Sequence, residues 1–238
     1  MSRIYLQKQK DNNYCIRDIL DTKRLGKIKF KNGKYTCHIK KKFKGKYLKT
    51  ESLHLLNQET LPSFSTVYRE FLQNFCHQWA DLNDYEFPMF VEACRLKKCE
   101  KDMFNRPTWL HPAARKAWKK MKSAANSDNI NLQIVSAYRN LVYQKHLIEN
   151  KIKKGISIKD ILKVNTLPGF SEHHTGCAID IGSKNEAILE TEFDQSPAFQ
   201  WLVKNANSFG FYMTYPKDNT TGIMYEPWHW CFRLENNV

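Results

Sequence analysis

The sequence predicts an α+β fold with a mainly antiparallel sheet, flanking helices and a basic amino-terminal extension. Helix and strand patterns in the carboxyl-terminal half do not alternate strictly, which argues against a parallel sheet built from βαβ units. Hydrophobic residues make up 42% of the 238-residue chain, enough to bury one sizeable core. Basic charge is concentrated near the amino terminus, where residues 1–60 contain 16 lysines and arginines against 5 acidic residues.

This charge asymmetry sets residues 1–60 apart as a separate segment. From Lys23 to Lys49 the chain contains no acidic residue, and the pair Asn32-Gly33 separates two runs in which lysines alternate with apolar residues. Asn-Gly is a favoured hairpin turn, so the segment predicts a twisted β-hairpin with one basic face. Such a face suits contact with a polyanion, but it is equally typical of a solvated surface, and the sequence leaves both interpretations open.

Residues 61–101 are predicted to form a helical connecting segment. Six apolar side chains recur there at the spacing of one helix face, which is typical of an amphipathic helix that packs on a core. These residues are Val67, Phe71, Leu72, Phe75, Trp79 and Leu82.

Residues 102–238 are predicted to form the main domain. Helices are predicted where a proline or a capping residue precedes an apolar face of period 3.6 and a glycine follows it. Strands are predicted in the short apolar runs between them. The predicted helices span residues 111–126, 141–155 and 197–210, and the predicted strands lie within 131–140, 176–182, 211–216 and 222–233.

Composition excludes several classes of protein. The amino terminus lacks the apolar core of a secretory signal, and no apolar run approaches the roughly 18 residues of a membrane helix, so we expect a soluble chain with no signal peptide or transmembrane segment. The seven cysteines are scattered and form no CxxC pair, which favours free thiols over disulfides or a cysteine-rich zinc finger. Net positive charge is the one feature of the sequence that favours nucleic acid as a partner, and we do not expect nucleic acid on that feature alone.

Two short motifs contain the residues of a candidate metal site. The stretch from Ser171 to Asp180, SEHHTGCAID, places His173 seven residues before Asp180, with a glycine between them that permits a tight turn. The stretch EPWHWCF adds Glu226 and His229, and its proline excludes a helical HExxH motif. A catalytic zinc site needs three ligands of these types and a nearby carboxylate that accepts a proton from water. Each motif alone is weak evidence, but together they predict such a site.

The two motifs resemble the paired signatures of the VanY-type D-alanyl-D-alanine carboxypeptidases. The segments SAYRN and FGFYMTYP also resemble family segments, and the likeness covers about residues 105–233. This family belongs to the zinc peptidases that include the lysostaphin-like enzymes and the hedgehog signalling domain. The resemblance therefore implies a zinc carboxypeptidase-like catalytic domain over residues 102–238. The matching motifs are Ser171-x-His173-x-x-Gly176-x-Ala178-x-Asp180 and Glu226-Pro-Trp-His229.

The resemblance implies a role for each matched residue. Glu226 would be the general base, and Arg139 would steady the developing oxyanion or the substrate carbonyl. Ser171 and Gln144 would hold the terminal carboxylate of the substrate. The remaining matched residues are the substrate-binding Tyr138 and Trp228 and the implied Zn²⁺ ligands His173, Asp180 and His229.

Four positions depart from the family pattern or lie outside its ligand set. Ala137 replaces a common glycine in SAYRN, and Thr214 stands where an arginine often precedes Tyr-Pro, a change expected to alter substrate contacts. His174 is interpreted as a supporting or exposed histidine, because three better ligands are present. Cys177 is expected to point or pack away from the metal.

The function that follows from the resemblance is removal of the terminal D-amino acid from peptidoglycan stem peptides, with D,D or L,D specificity left open. An endopeptidase of the same architecture, cutting inside the stem or cross-bridge, is the first alternative. A metal-containing binding module that acts through its basic segment is the second, and the unligated Glu226 argues against it. An enzyme of this type without a signal peptide would act on the cell wall after release by lysis or export by another route.

Overall fold

The computed structural model describes residues 4–20, 22–32, 34–40, 52 and 63–234. The chain divides into two compact units, Met1–Glu86 and Phe87–Val238. The second unit begins before residue 102, the start of the predicted main domain, and therefore includes residues that the sequence analysis placed in the connecting segment.

The first unit contains a four-stranded antiparallel sheet in the order β1-β2-β3-β4. Strands β3 and β4 form a hairpin in which Lys31 pairs with Lys34, so the loop has two residues, and Asn32 has a positive φ of 50° as such a turn requires. Gly33 and residues 41–49 of the predicted basic hairpin lie outside the described residues. No strand is predicted before Lys23, and the structure has two strands there. The four strands are β1 (Ile4–Lys8), β2 (Tyr14–Asp18), β3 (Arg24–Lys31) and β4 (Lys34–Ile39).

Helix α1 (Phe64–Cys76) is capped by Ser63, whose side chain accepts a hydrogen bond from the Thr66 backbone N–H. Its fully buried stripe consists of Tyr68, Leu72 and Cys76. Leu72 was predicted for this stripe, but three other residues predicted for it are half-buried and lie beside it, and the two last predicted positions follow the end of the helix. The half-buried residues are Val67, Phe71 and Phe75.

The second unit confirms the predicted α+β class. Its main sheet is antiparallel throughout, in the order β7-β8-β10-β9, and a separate hairpin joins β5 to β6. In the part of the chain that the structure describes, no helix combines the length and hydropathy needed to span a membrane. The elements are β5 (Lys97–Lys101), β6 (Pro107–Leu110), α2 (Pro112–Ser127), β7 (Leu132–Ser136), α3 (Leu141–Lys153), α4 (Ile158–Val164), β8 (Ala178–Ser183), α5 (Pro197–Asn205), β9 (Phe211–Met213) and β10 (His229–Phe232).

Helix α2 packs its apolar face on one side of this sheet. The buried residues of that face recur every three or four positions, as the sequence predicts, and they join the sheet residues Ile134, Ile179 and Trp230 in one core. Trp118 is fully buried, and its indole N–H donates to Glu100, which satisfies the polar atom that burial would otherwise leave unpaired. This core supports the strands that carry the candidate site.

The last strand is shorter than predicted. A strand is predicted over residues 222–233, whereas β10 comprises His229–Phe232. Pro227 cannot donate to a strand ladder, and the His229 N–H instead donates to the Glu226 carbonyl in a turn. The strand therefore begins at His229.

Candidate metal centre

Strand pairing places Asp180 and His229 directly opposite each other. In the antiparallel pair β8 and β10, His229 is in register with Asp180, and the two side chains emerge on the same face. The His229 Nδ1 atom lies 3.1 Å from Asp180 Oδ1, and both residues are buried. Two motif residues 49 positions apart in sequence therefore meet because of the sheet register.

A short 3-10 helix, Glu172–Thr175, carries His173 to the same place. Ser171 caps this helix by accepting a hydrogen bond from the His173 N–H at 3.4 Å. Gly176 ends it in the left-handed region, with φ of 69°, and turns the chain into β8. A Cβ atom at Gly176 would lie 2.8 Å from Leu96 Cδ2 and 3.0 Å from the His111 backbone nitrogen. Both backbone conformation and space therefore require glycine at this position.

His173, Asp180 and His229 form a buried cluster, in which one candidate ligand atom from each lies within 4.8 Å of the others. His173 Nδ1 lies 2.7 Å from the Ala137 carbonyl oxygen, which can only accept, so Nδ1 carries the hydrogen. His173 Nε2 is buried without a hydrogen-bond partner among the described residues and lies 3.3 Å from Asp180 Oδ1. A buried lone pair that faces a carboxylate fits a cation, and these residues accordingly suit a metal ion.

Protonation states agree with a metal-ligand set. Burial, assisted by the positive charge of Arg139, lowers the pKa of His173 to about 4, so this imidazole is neutral at pH 7. Burial acts to raise the pKa of Asp180, but His173, His229 and Arg139 together hold it well below its usual range. Burial likewise opposes the charge of His229, yet its hydrogen bonds to Asp180 and Glu172 raise its pKa to about 10. A cation bound at Nδ1 would replace that proton.

Glu226 is a buried carboxylate beside the cluster rather than within it. Its Oε2 atom lies 3.9 Å from His229 Nδ1, too far for a hydrogen bond. Burial raises the pKa of Glu226 to about 7, and the nearby His229 acts in the opposite direction. A carboxyl group with this pKa can accept and return a proton near neutral pH.

His173, His229 and Glu226 line a narrow cavity of about 30 Å³. Arg139 follows strand β7, and its Nη2 atom lies 3.6 Å from Asp180 Oδ2, while its buried Nε makes no hydrogen bond with the described residues. The cavity therefore brings together the Glu226 carboxylate, the two histidines of the candidate ligand set and a guanidinium N–H without a partner among the described residues. The lining residues are Arg139, Gln144, Val164, Asn165, Thr166, Ser171, His173, Tyr215, Ile223, Glu226 and His229.

His174 holds the backbone of Arg139 through a hydrogen bond to its carbonyl oxygen. The Gly169 N–H donates to His174 Nε2 at 3.0 Å, so the hydrogen of this ring lies on Nδ1, which donates to the Arg139 carbonyl at 2.7 Å. Arg139 also donates its own backbone N–H to the His173 carbonyl. The sequence analysis left His174 as supporting or exposed, and the structure shows it fully buried in the supporting position.

Gln144 lies in the cavity wall with one atom uncommitted. Its Nε2 donates to the Thr166 carbonyl at 2.8 Å, and its buried Oε1 has no partner among the described residues. The free atom is thus an acceptor, which suits a substrate N–H better than the carboxylate expected from the resemblance. Cys177 is buried outside the cluster, and burial raises its pKa to about 11, so it is a thiol rather than a metal-binding thiolate.

Two residues predicted to bind substrate, Tyr138 and Trp228, are not among those that line this cavity. Tyr138 donates its hydroxyl to Glu92 at 3.3 Å and lines a neighbouring cavity of about 480 Å³, which Arg139 shares. Trp228 packs partly buried against the main core. Sequence patterns do not resolve how the end of β7 and the turn before β10 direct these two side chains.

Three further residues support the site and were absent from the predicted set. Glu92 accepts from both the Tyr138 hydroxyl and the Leu141 N–H, and so fixes the start of α3 against the end of β7. Glu172 Oε2 lies 2.9 Å from His229 Nε2, and Thr214 Oγ1 donates to the same oxygen at 2.8 Å. Thr214 was expected to alter substrate contacts, yet it contacts Glu172 and is not among the residues lining the cavity. All four contacts join residues distant in sequence, and no local pattern marks them.

Two imidazoles and one carboxylate around a possible metal, with an unligated carboxylate close by, form the residue set of a mononuclear metal-dependent hydrolase. The fold and the site thus define the general class of the protein. Comparison with known sequences gives the family. Residues 107–235 match the sequence model of the VanY family of D-alanyl-D-alanine carboxypeptidases, and the chain belongs to that family.

Two curated relatives are similar to this part of the chain. The putative carboxypeptidase YodJ of Bacillus subtilis (strain 168) is 35% identical over 127 residues, which are 51% of this chain and 45% of YodJ. The bifunctional D-Ala-D-Ala dipeptidase and carboxypeptidase VanXYC of Enterococcus gallinarum is 32% identical over 129 residues, 52% of this chain and 67% of VanXYC. The chain thus spans less than half the length of YodJ and about two thirds of VanXYC.

A solved structure supports the same assignment. The LdcB LD-carboxypeptidase, described for its recognition of peptidoglycan, is 30% identical and superposes with a TM-score of 0.55 over 61% of this chain and 71% of its own. The predicted family and the predicted fold class are both confirmed.

Proposed function

We propose that this chain is a zinc-dependent carboxypeptidase that removes the terminal D-amino acid from peptidoglycan stem peptides. The observation that carries the proposal is the buried cluster of His173, Asp180 and His229 beside the unligated Glu226. Membership of the D-alanyl-D-alanine carboxypeptidase family and similarity to LdcB support a peptidoglycan substrate.

Zinc would be held by His173 through Nε2, by Asp180 and by His229 through Nδ1. These are the atoms that face one another, and the opposite nitrogen of each ring is already engaged by the Ala137 carbonyl or by Glu172. A bound zinc ion polarises a carbonyl group and increases the acidity of water.

Glu226 performs the proton transfers in this mechanism. As a carboxylate it accepts a proton from the water that attacks the terminal peptide carbonyl. As a carboxylic acid it then returns that proton to the nitrogen of the departing D-amino acid, so the carbon–nitrogen bond breaks and the base is restored. Its raised pKa permits both states near pH 7.

Arg139 and the cavity walls orient the substrate. The buried Arg139 Nε is a donor without a partner among the described residues, and it would bind the oxygen on which charge develops. The Ser171 hydroxyl accepts from the His173 N–H and can donate its own hydrogen to a terminal carboxylate. Gln144 Oε1 would accept from an N–H group of the penultimate residue.

The test compares wild type with Glu226→Ala and with Glu190→Gln, which removes an exposed glutamate of the same unit. Each protein is incubated with muramyl pentapeptide and tetrapeptide, zinc is counted by elemental analysis, and products are weighed by mass spectrometry. We expect about one zinc per chain in all three. We also expect loss of one terminal alanine with wild type and Glu190→Gln, and no product with Glu226→Ala. Cleavage of the pentapeptide would define D,D specificity, and cleavage of the tetrapeptide would define L,D specificity.

An endopeptidase of the same architecture remains the alternative, and the Ser171 hydroxyl favours the carboxypeptidase because it can donate to a terminal carboxylate. Protein that carries zinc but shortens neither peptide would overturn the carboxypeptidase proposal, and release of fragments from intact sacculi would then establish the endopeptidase. Protein that binds no zinc would overturn the ligand assignment itself.

We also propose that the basic face of the first unit contacts a polyanion. Lys27, Lys29, Lys31 and Lys34 lie on one face of the β3–β4 hairpin, because alternate residues of a strand share a face and Lys31 pairs with Lys34. Like charges directly opposite each other are destabilising unless a counter-charge is supplied. We expect the contact to appear as salt-dependent binding of the protein to a polyphosphate polymer. Charge reversal of these four lysines should abolish that binding.

A further inference from the structure

The side chain of Glu172 contacts the edge of the His229 ring that is opposite Asp180, and Thr214 contacts Glu172 in turn. His229 Nδ1 faces Asp180 Oδ1 at 3.1 Å, and His229 Nε2 faces Glu172 Oε2 at 2.9 Å. The two ring nitrogens diverge, so a metal bound at Nδ1 and the carboxylate of Glu172 contact opposite edges of the same imidazole.

The hydrogen-bond partners determine where the ring hydrogen lies. Thr214 Oγ1 donates to Glu172 Oε2 at 2.8 Å, so this oxygen acts as an acceptor for the hydroxyl. It is an acceptor for the ring as well, and Nε2 must therefore carry a hydrogen that it donates to Glu172. In a neutral imidazole with Nε2–H, the lone pair is on Nδ1, the atom that faces Asp180.

We propose that Glu172 and Thr214 are positioning residues for the metal ligand His229: Glu172 fixes the ring with Nε2–H bonded and Nδ1 directed at the metal, and Thr214 orients Glu172. The proposal rests on the proposed zinc site. A carboxylate that accepts from the outer N–H of a ligating histidine holds the ring orientation and strengthens the ligand.

The two histidine ligands are supported in different ways. His173 donates its outer N–H to a backbone carbonyl, that of Ala137, whereas His229 donates to a carboxylate, which is the stronger acceptor. Glu172 is also the sequence neighbour of His173 on the same 3-10 turn. One turn of the chain thus supplies one ligand directly and holds another ligand from a different strand.

The experiment measures zinc affinity of the full chain by competition with a chelator, for wild type, Glu172→Gln, Thr214→Val and Thr214→Ser. Loss of such a carboxylate partner is expected to raise the zinc dissociation constant about 10- to 100-fold in Glu172→Gln. Thr214→Val keeps the side-chain volume but removes one neutral hydrogen bond, and should weaken binding about 2- to 10-fold. Thr214→Ser restores the hydroxyl and should bind as wild type does. Glu190→Gln controls for loss of a negative charge.

Folding is followed separately by the circular dichroism of metal-free protein, which a purely structural role of Glu172 would change and a positioning role would not. The proposal is overturned if Glu172→Gln binds zinc as tightly as wild type, or if Thr214→Ser loses as much affinity as Thr214→Val. Wild type that takes up no zinc overturns it together with the ligand assignment. Zinc affinity is read without substrate, so the carboxypeptidase proposal can fail on the peptides while this one stands.

Discussion

At the scale of single residues, Glu226 and His229 show how burial and hydrogen bonding give neighbouring groups different tasks. Burial raises the pKa of Glu226 to about 7, because the nearby charge of His229 only partly offsets the cost of burying the carboxylate. His229 is equally buried, but its two carboxylate partners favour the charged ring. Glu226 is thereby suited to proton transfer, and His229 is suited to exchange its Nδ1 proton for a metal ion.

The pH dependence of the reaction should report Glu226. The base must be unprotonated, so kcat/KM for release of the terminal amino acid should fall as the pH drops through the pKa of Glu226. A bound cation favours the carboxylate, which places the midpoint of this limb at or below about 7. The measurement is a pH profile with zinc content determined at each pH, and a midpoint well above pH 7 at constant zinc content would contradict the assignment.

The motif residues of the site could be predicted from the sequence, whereas the residues that hold them could not. His173, Asp180, His229 and Glu226 belong to short patterns whose residue types already suggest metal chemistry. The acceptor for His173 is a backbone carbonyl that any residue could provide. Glu172 and Thr214 are ordinary polar residues until folding places Glu172 next to His229 and Thr214 next to Glu172, and nothing in their local sequence predicts these contacts.

At the scale of elements, the turn at Gly176 joins the 3-10 helix that carries His173 to the strand that carries Asp180. It combines a left-handed backbone conformation with close packing against Leu96 and the backbone of His111. A change at this turn therefore affects the distance between two candidate ligands.

Gly176→Ala should destabilise the protein by about 1–3 kcal/mol from backbone strain alone, and it should also weaken zinc binding because His173 is displaced. Gly155→Ala is the matched control, since Gly155 has a φ of 81° but nothing within 4 Å of an added Cβ. The control should lose a similar or smaller amount of stability and keep its zinc affinity, as measured by denaturant unfolding and chelator competition. Equal zinc affinities in the two variants would show that the turn does not position the ligand.

Elements with a long regular pattern were predicted best. Helix α2 has a proline in its first turn and an apolar face over four turns, and the structure matches the prediction to within a residue at each end. The hairpin β5–β6 and helix α4 were missed, because short elements are stabilised by tertiary packing that local sequence does not encode. Strand β10 was predicted too long because the apolar run continues through the turn at Pro227.

At the scale of the whole molecule, the second unit places its three candidate ligands on the 3-10 turn, β8 and β10. Because these elements come together only in the folded unit, zinc binds the native state in preference to the unfolded chain and stabilises it.

Removal of zinc should therefore lower the unfolding temperature of the unit Phe87–Val238. At a free zinc concentration 100 times the dissociation constant, the stabilisation is about 2.7 kcal/mol, which corresponds to roughly 5–10 °C for a unit of this size. The measurement is calorimetry of the full chain with and without chelator. Asp180→Asn removes one ligand with little change in volume and should show no zinc-dependent shift, so an equal shift in this variant would place the stabilising zinc elsewhere.

The pairing of His229 with Asp180 has a consequence for folding quality. A slip of β10 by one position against β8 would put Trp230 opposite Asp180 and turn His229 to the other face of the sheet. Molecules with that error would have lost a ligand while keeping nearly all of their secondary structure. Uptake of a coloured metal such as cobalt would thus distinguish correctly paired molecules from mispaired ones that spectroscopy of the backbone would count as folded.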